Sequence, residues 1–379
     1  MIGQIKKNVA LNAKNLIGWR SKRKIIVFSV DDYGNVRVDS ATAIEKLKDA
    51  GIKPQSRFDQ FDSLETWQDL EQLYQVLESV RDKNGRHAVF TPFAVPCNID
   101  FERVADTGYS EFHYEKVPET FSKQAVRFPE AYDGAWDLIS EGIDKKIFVP
   151  QYHGREHVNL KVFEEKLKRE DPELIIPLKN RSFTGIRDSG YSTISAMAAF
   201  DFWKFDENER LKEIARDGLL RFEEVYGYRA THFTPPVYNV HPALFRELED
   251  YGIRYVDTAL VNKEHQGEGR YLKKFNYTGK KISNKQCYIV RNVVFEPTEQ
   301  RPLNWVKFAL RQIEAAFRWN KPAIISSHRV NFCGHIDPKN RETGLLALKE
   351  LLSEIVNRWP DVEFMAANEL GDLVSGLNE

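Results

Sequence analysis

Two adjacent carboxylates, Asp31 and Asp32, close the apolar run Ile25-Ile26-Val27-Phe28-Ser29-Val30 and are followed by Tyr33-Gly34. Side by side, two carboxylates repel, and a positive group, most simply a divalent metal ion, resolves the conflict. A second constellation, His153-Gly154-Arg155-Glu156-His157, sets two imidazoles four residues apart. On one helical turn, or in a tight loop, both rings point the same way, as two ligands of one metal must. With an aspartate the set becomes Asp/His/His with positions open for water and substrate, the make-up of a catalytic rather than a structural zinc-type site. Alone, the Asp pair equally suits a capping turn, and HxxxH arises by chance in a chain with nine histidines. His232, Asp257 and His328 each stand at or near the end of a further strand-like run. The other histidines (His87, His113, His241, His265 and His335) are read as structural or surface groups.

These residues need elements that bring them together. The run at 25–30 predicts a buried strand, Gly34 allows a turn, and Ser40 opens a helix reaching Gly51, with Asp39 as rival cap. Further strands are predicted at 87–91, 147–149, 230–233, 254–257, 288–295, 323–327 and 362–365. Helical patterns fall at 64–82, 129–142, 207–226 and 303–319, with apolar stripes such as Val306, Leu310, Ile313 and Phe317, and a last helix carries Leu348, Leu351, Leu352 and Ile355 on one stripe. Repeated βα units over this length predict a (β/α) barrel of seven or eight strands, a distorted TIM-like barrel enlarged by insertions. Residues 1–24 form a basic helical segment packed on the domain, and 25–379 form the barrel, with insertions at about 97–128 and 160–200. Residues 263–285 read as a Gly/Lys-rich loop. In such a barrel Asp31, Asp32, His153, His157, His232, Asp257 and His328 share one rim, at the carboxyl ends of the strands. The competing doubly wound sheet lacks its usual Gly-rich phosphate loop.

Bulk properties narrow the partners. The 379 residues carry 55 Lys+Arg against 56 Asp+Glu, a net charge of −1, which argues against nucleic acid as the main partner. Cys97, Cys287 and Cys333 are scattered and odd in number, which argues against a disulfide framework and a Cys-rich zinc site. Charges interrupt the apolar residues of the N-terminal stretch, so neither a signal peptide nor a membrane span is expected. A cytoplasmic protein is expected, at most peripheral to a membrane through its basic N-terminal face.

Four motifs, in this order, give the chain a resemblance to the polysaccharide deacetylase family, the NodB-homology barrels of carbohydrate esterase family 4. Ser29-Val30-Asp31-Asp32-Tyr33-Gly34 is similar to that family's T-F-D-D-G, and His153 to His157, followed by Val158-Asn159-Leu160, is similar to H-[ST]-x-x-H-P-N-L. Tyr226 to Pro236 is similar to T-G-x-x-P-x-x-F-R-P-P, and Ile324-Ile325-Ser326-Ser327-His328 to the late L-x-x-H. The opening Val-Asp-Asp-Tyr-Gly also looks like the YdjC-type oligosaccharide deacetylases, whose histidine pattern is not found.

The resemblance implies that Asp32, His153 and His157 hold a divalent metal (zinc first, cobalt or nickel next). It implies that Asp31 is the general base and His328 the general acid, with Asp257 orienting His328. The substrate would be a carbohydrate, and the reaction removal of an acetyl group from an N- or O-acetylated sugar or polysaccharide precursor. Two departures stand out. The family's Arg before Pro-Pro is Thr234, and its Tyr after Pro-Pro is Val237, with Tyr238 next to it. The lost Arg normally pairs with the base, leaving Arg155, Arg187 or Arg329 to do so; the Val237 N–H still suits an oxyanion. Alternative readings are a barrel cleaving a different bond, glycosidic or a non-sugar amide, and a non-catalytic carbohydrate-binding protein.

Overall fold

Strand β1 (Lys24–Tyr33) is buried along its whole length except Lys24, as its β-branched, apolar run demands of a strand covered on both faces. The computed structural model describes residues 11–376. After β1 come β2 (Phe90–Ala94), β3 (Cys97–Ile99), β4 (Tyr114–Lys116), β5 (Gln151–Tyr152), β6 (His232–Phe233) and β7 (Tyr255–Asp257). The remaining strands are β8 (Val261–His265), β9 (Tyr271–Phe275), β10 (Cys287–Ile289), β11 (Val293–Val294), β12 (Ala323–His328) and β13 (Val362–Met365).

Among the described residues one nine-stranded sheet runs β10-β7-β6-β5-β2-β1-β12-β11, with β13 also on β1. All its pairings are parallel. Its two edge strands follow one another in sequence. Only residues 290–292 separate Ile289 from Val293, so the edges lie no more than about 15 Å apart and the sheet must curl. Side chains of distant strands accordingly meet inside it: Ile25 and Val27 of β1, Tyr255 of β7, Ile289 of β10 and Ile324 of β12 form one cluster, to which Leu370 of the last helix (Ala367–Ser375) belongs. The opposite faces of the strands pack on the surrounding helices, the larger core. The fold is a distorted (β/α) barrel.

Local chemistry sets the helix starts. Ser40, not Asp39, caps Ala41–Asp49, accepting from the Ala43 N–H, while Asp39 pairs with Arg127. Thr66 and Asp69 form a capping box that starts Trp67–Glu78, three residues later than periodicity suggests. The segment 97–128 is an antiparallel β3–β4 pair with helices Phe101–Asp106 and Val117–Arg127. Residues 160–200 begin with two helices, Leu160–Lys168 and Pro172–Lys179. The stretch read as a loop at 263–285 contains most of the β8–β9 hairpin. The run read as one strand at 288–295 is two, β10 and β11, the opposite edges of the curled sheet, with residues 290–292 between them.

Residues 1–10 of the basic N-terminal segment lie outside the described residues. From Leu11 onward the chain is tied down: the Lys321 ammonium donates to the carbonyls of Ile17, Gly18 and Trp19, and Asn292 donates to Asn15. No helix among the described residues is long and apolar enough to cross a membrane.

Candidate functional site

A regular strand sends neighbouring side chains to opposite faces. Asp31 and Asp32 nevertheless line the same cavity, of about 320 Å³ at the carboxyl ends of the strands. The cause is local. Asp32 has φ +77° and the β1–β2 register slips between Val30 and Tyr33, which breaks the alternation. Gly34 completes the turn at φ +78°, and a Cβ there would lie 2.8 Å from the Val95 carbonyl. No side chain larger than hydrogen fits.

The parallel register delivers the other groups. Asp31 on β1 stands opposite His328 on β12. His153 follows β5, Thr234 follows β6 and Asp257 ends β7. His153 to His157 is an irregular loop rather than a helical turn. Both imidazoles aim Nε2 at one atom, Asp32 Oδ1, at 3.3 Å from His153 and 3.2 Å from His157. The three ligand atoms lie within 4.8 Å of one another and all three residues are buried. His153 donates its Nδ1–H to the Thr234 carbonyl, 2.7 Å away, which leaves the Nε2 lone pair facing the carboxylate. A lone pair that faces an anionic oxygen needs a cation between them. The N₂O donor set suits a divalent transition metal. Burial works against the charge on Asp32, but the neighbouring His153 and His157, with the charge of His328, hold its carboxyl well below the usual range.

Asp31 has a different partner. Arg291, in the seam between β10 and β11, donates Nη1 to Asp31 Oδ2 and Nη2 to Asp31 Oδ1, both at 2.7 Å. Its Nε reaches Asp257 Oδ2 at 2.7 Å, and Nη2 also reaches the Thr234 hydroxyl at 2.7 Å. The Thr234 hydroxyl in turn donates to Asp257. The guanidinium lies over the rings of Phe93 and Tyr238, 4.9 and 5.6 Å from their centres. Burial alone would lower its pKa, but Asp31, Tyr238 and Asp257 raise it well above the ordinary value. Burial likewise opposes the charge of Asp257, which Arg291 and His232 bring down to about 2. The two neighbouring aspartates are thus divided: Asp32 faces the histidine pair and Asp31 faces an arginine.

His328 donates through Nδ1 to Glu296 Oε1 at 2.7 Å, and its Nε2 lies 4.0 Å from Asp31. Burial would lower its pKa; the charge and hydrogen bond of Glu296, with Asp32 and Asp31, raise it to about 9. Glu296 is itself fixed by Arg57 and Asn331.

The cavity therefore brings together Asp31, Asp32, His153, His157, Thr234, Val237, Tyr238 and His328. Asp257 is close by but does not orient His328. Its bonds go to His232, Thr234 and Arg291, because β7 lies far from β12 in the strand order. Glu296 follows β11, which pairs directly with β12, and takes that place. The arginine beside Asp31 is none of the three expected. Arg155 binds Glu156 and Asp217, Arg329 binds Asp62 and Glu65, and Arg187 makes only a backbone bond to Glu173. A lone Arg in the run Tyr288 to Phe295 was the available signal, since a charge in a buried strand needs a partner. Val237 and Tyr238 both have φ +57°, a strained conformation for consecutive non-glycine residues beside the cavity.

No family model and no curated protein matches the sequence. Among solved structures, a protein assigned as a polysaccharide deacetylase from Mycobacterium smegmatis is similar at 11% identity and a TM-score of 0.44, over 95% of this chain and 93% of that one. A protein assigned as a glycoside hydrolase/deacetylase from Parabacteroides distasonis is similar at 10% identity and a TM-score of 0.48, over 93% and 71%. The 4-alpha-glucanotransferase of Thermococcus litoralis is similar at 11% identity and a TM-score of 0.44, over 92% of this chain; the chain spans only 40% of that enzyme's length.

Proposed function

We propose that the chain is a metal-dependent hydrolase that removes an acetyl group from an N- or O-acetylated sugar or polysaccharide precursor. One observation carries the reading: three metal-type ligands converge beside an arginine-bound carboxylate, with a carboxylate-bound imidazole facing it. In this reading Asp32, His153 and His157 hold the cation, zinc by preference. When bound, a divalent cation supplies Lewis-acid polarisation of the acyl carbonyl and of the attacking water.

The chain's own groups manage the protons. An Asp31 oxygen accepts the proton that water loses as its oxygen bonds to the acyl carbon. Arg291 holds that carboxylate in orientation through both of its oxygens. His328, charged at neutral pH, passes its Nε2 proton to the leaving nitrogen or oxygen as the acyl bond breaks and acetate departs. Glu296 keeps the Nδ1–H of His328 in place throughout. The Val237 N–H is assigned to the developing oxyanion, with Thr234 and Tyr238 forming the adjacent wall. The N- and O-acyl bonds differ only in the atom that receives the proton.

Acetate release from acetylated sugars by zinc-loaded protein tests the proposal. Asp31→Asn and His328→Ala should abolish release while metal stays bound. Turnover retained in both would overturn the assignment. A product lighter by one acetyl group supports deacetylation, whereas chain shortening would mean that a glycosidic bond is cut.

A further inference from the structure

No ladder joins β10 to β11 among the described residues, so the sheet is open along one seam, and Arg291 stands in the three residues that cross it. Its guanidinium meets Asp31, Asp257 and Thr234 at once. A planar fork that serves three groups tolerates little movement of its own backbone. Close packing does not supply that constraint. A cavity of about 80 Å³ adjoins the link, with Asn15, Ile17, Trp19, Arg291 and Asn292 among its walls.

Hydrogen bonds supply it instead, from both sides of Arg291. Asn292 stands in for a piece of strand. Its side-chain amide accepts from the Ile324 N–H and donates to the Pro322 carbonyl, both at 2.9 Å, the pair of bonds that a neighbouring parallel strand makes. The second amide hydrogen goes to Asn15 Oδ1, also at 2.9 Å. Asn15 is buried, and its own amide donates to the Leu11 carbonyl at 3.0 Å. On the other flank the Val290 N–H donates to the Thr278 hydroxyl at 3.0 Å, and the Thr278 carbonyl accepts from the Trp19 N–H at 2.8 Å. Residues 15–19 therefore cross the seam and hold the link at each end. Gly18 lets them lie close: its φ is +99°, and a Cβ there would stand 2.9 Å from the Thr278 carbonyl oxygen.

Building on the deacetylase reading, we propose that Asn15 is a positioning residue of the reaction. Through Asn292 it fixes the Arg291 link, and through Arg291 the orientation of the Asp31 carboxylate. The segment before β1 then serves the reaction without touching the substrate.

A double-mutant cycle with Arg291 tests this. Asn15→Leu keeps the shape of the side chain and removes the oxygen that accepts from Asn292. Gly18→Ala displaces the same segment by another route. In the zinc-loaded protein each should lower kcat at least tenfold, with KM changed less than threefold and one zinc bound per chain. In an Arg291→Met background neither should lower kcat more than twofold further, because both act through Arg291. A purely structural Asn15 would cost the same factor in both backgrounds. That result, or an unchanged kcat in both single variants, would overturn the proposal. If the wild type releases no acetate, the deacetylase reading falls, and the cycle is read in urea-unfolding midpoints instead. A loss from Asn15→Leu that shrinks by half or more in the Arg291→Met background retains the tie to Arg291, and equal losses overturn it.

Discussion

Arg291 and Asp31 form a two-point ion pair, with the two terminal guanidinium nitrogens each 2.7 Å from one carboxylate oxygen. They are far apart in sequence: Asp31 lies near the end of β1, two strands in from the β11 edge, and Arg291 sits in the three-residue link between the two edge strands. Thr234 makes the pair possible. A small side chain there leaves room for the guanidinium and adds a hydroxyl that accepts from it.

Removing Arg291 leaves Asp31 and Asp257 as buried carboxylates without their counter-charge. Arg291→Met is expected to cost about 3–5 kcal/mol in urea unfolding, the range for breaking a buried ion pair from one side. Turnover should fall about 100-fold or more, because a misoriented base loses most of its general-base contribution. The exchange Arg291→Thr/Thr234→Arg should recover at least tenfold over Arg291→Thr alone. No recovery would show that an arginine entering from β6 cannot reach Asp31.

The pH profile reports on Glu296. His328 is raised above its ordinary 6.5 to about 9, chiefly by Glu296 working against burial. The proton needed for the leaving group is therefore held through neutral pH and lost as pH rises through the alkaline range. The stability His328 draws from Glu296 follows the same sign: full below about 6.5, lost as pH rises through about 9. A bound dication lowers the limb in every variant, so the comparison is relative. In Glu296→Gln the alkaline limb of kcat/KM should move down by at least one pH unit, with the smallest loss of rate near pH 6. An unmoved limb would remove Glu296 from this role.

What could be read from the sequence was local. The end of an apolar run marked Asp31 and Asp32, spacing marked His153 and His157, and βα alternation placed them with His328 on one rim. What could not be read was which strands lie side by side. Tyr288 to Phe295 looks like one uninterrupted strand, yet the strand breaks at 290–292, passing from one edge of the sheet to the other, and Arg291 reaches Asp31 from that break. Asp257 seemed a partner for His328 because both end strands, but neighbourhood in the sheet belongs to β11 and hence to Glu296. Pairing between distant segments leaves no local pattern, so the partners of Asp31 and His328 stayed hidden while the groups themselves did not.

Metal binding should appear as stability. A ligand that binds only the folded chain adds about 2.7 kcal/mol at 100 times its Kd. Zinc is expected to raise the melting temperature of the wild type and of Asp31→Asn, since both Asp31 oxygens face Arg291. It should leave His153→Ala/His157→Ala unchanged, and elemental analysis should find about one metal per chain in the first two only. Equal stabilisation of all three would place the metal elsewhere.

Val237 is a β-branched residue at φ +57° whose side chain is 55% exposed, so the protein holds it in a costly conformation while gaining little from packing it. For an L-residue the left-handed region costs about 1–2 kcal/mol, and glycine escapes that cost. Val237→Gly is therefore expected to raise stability by about 1 kcal/mol in urea unfolding. Its backbone N–H is the group assigned to the oxyanion, and glycine would free it to wander. Stability and activity should then move in opposite directions, with kcat falling several-fold and metal content unchanged. A loss of stability would mean that the Val237 side chain holds the loop by packing. A gain in stability with full kcat would remove the Val237 N–H from the oxyanion role.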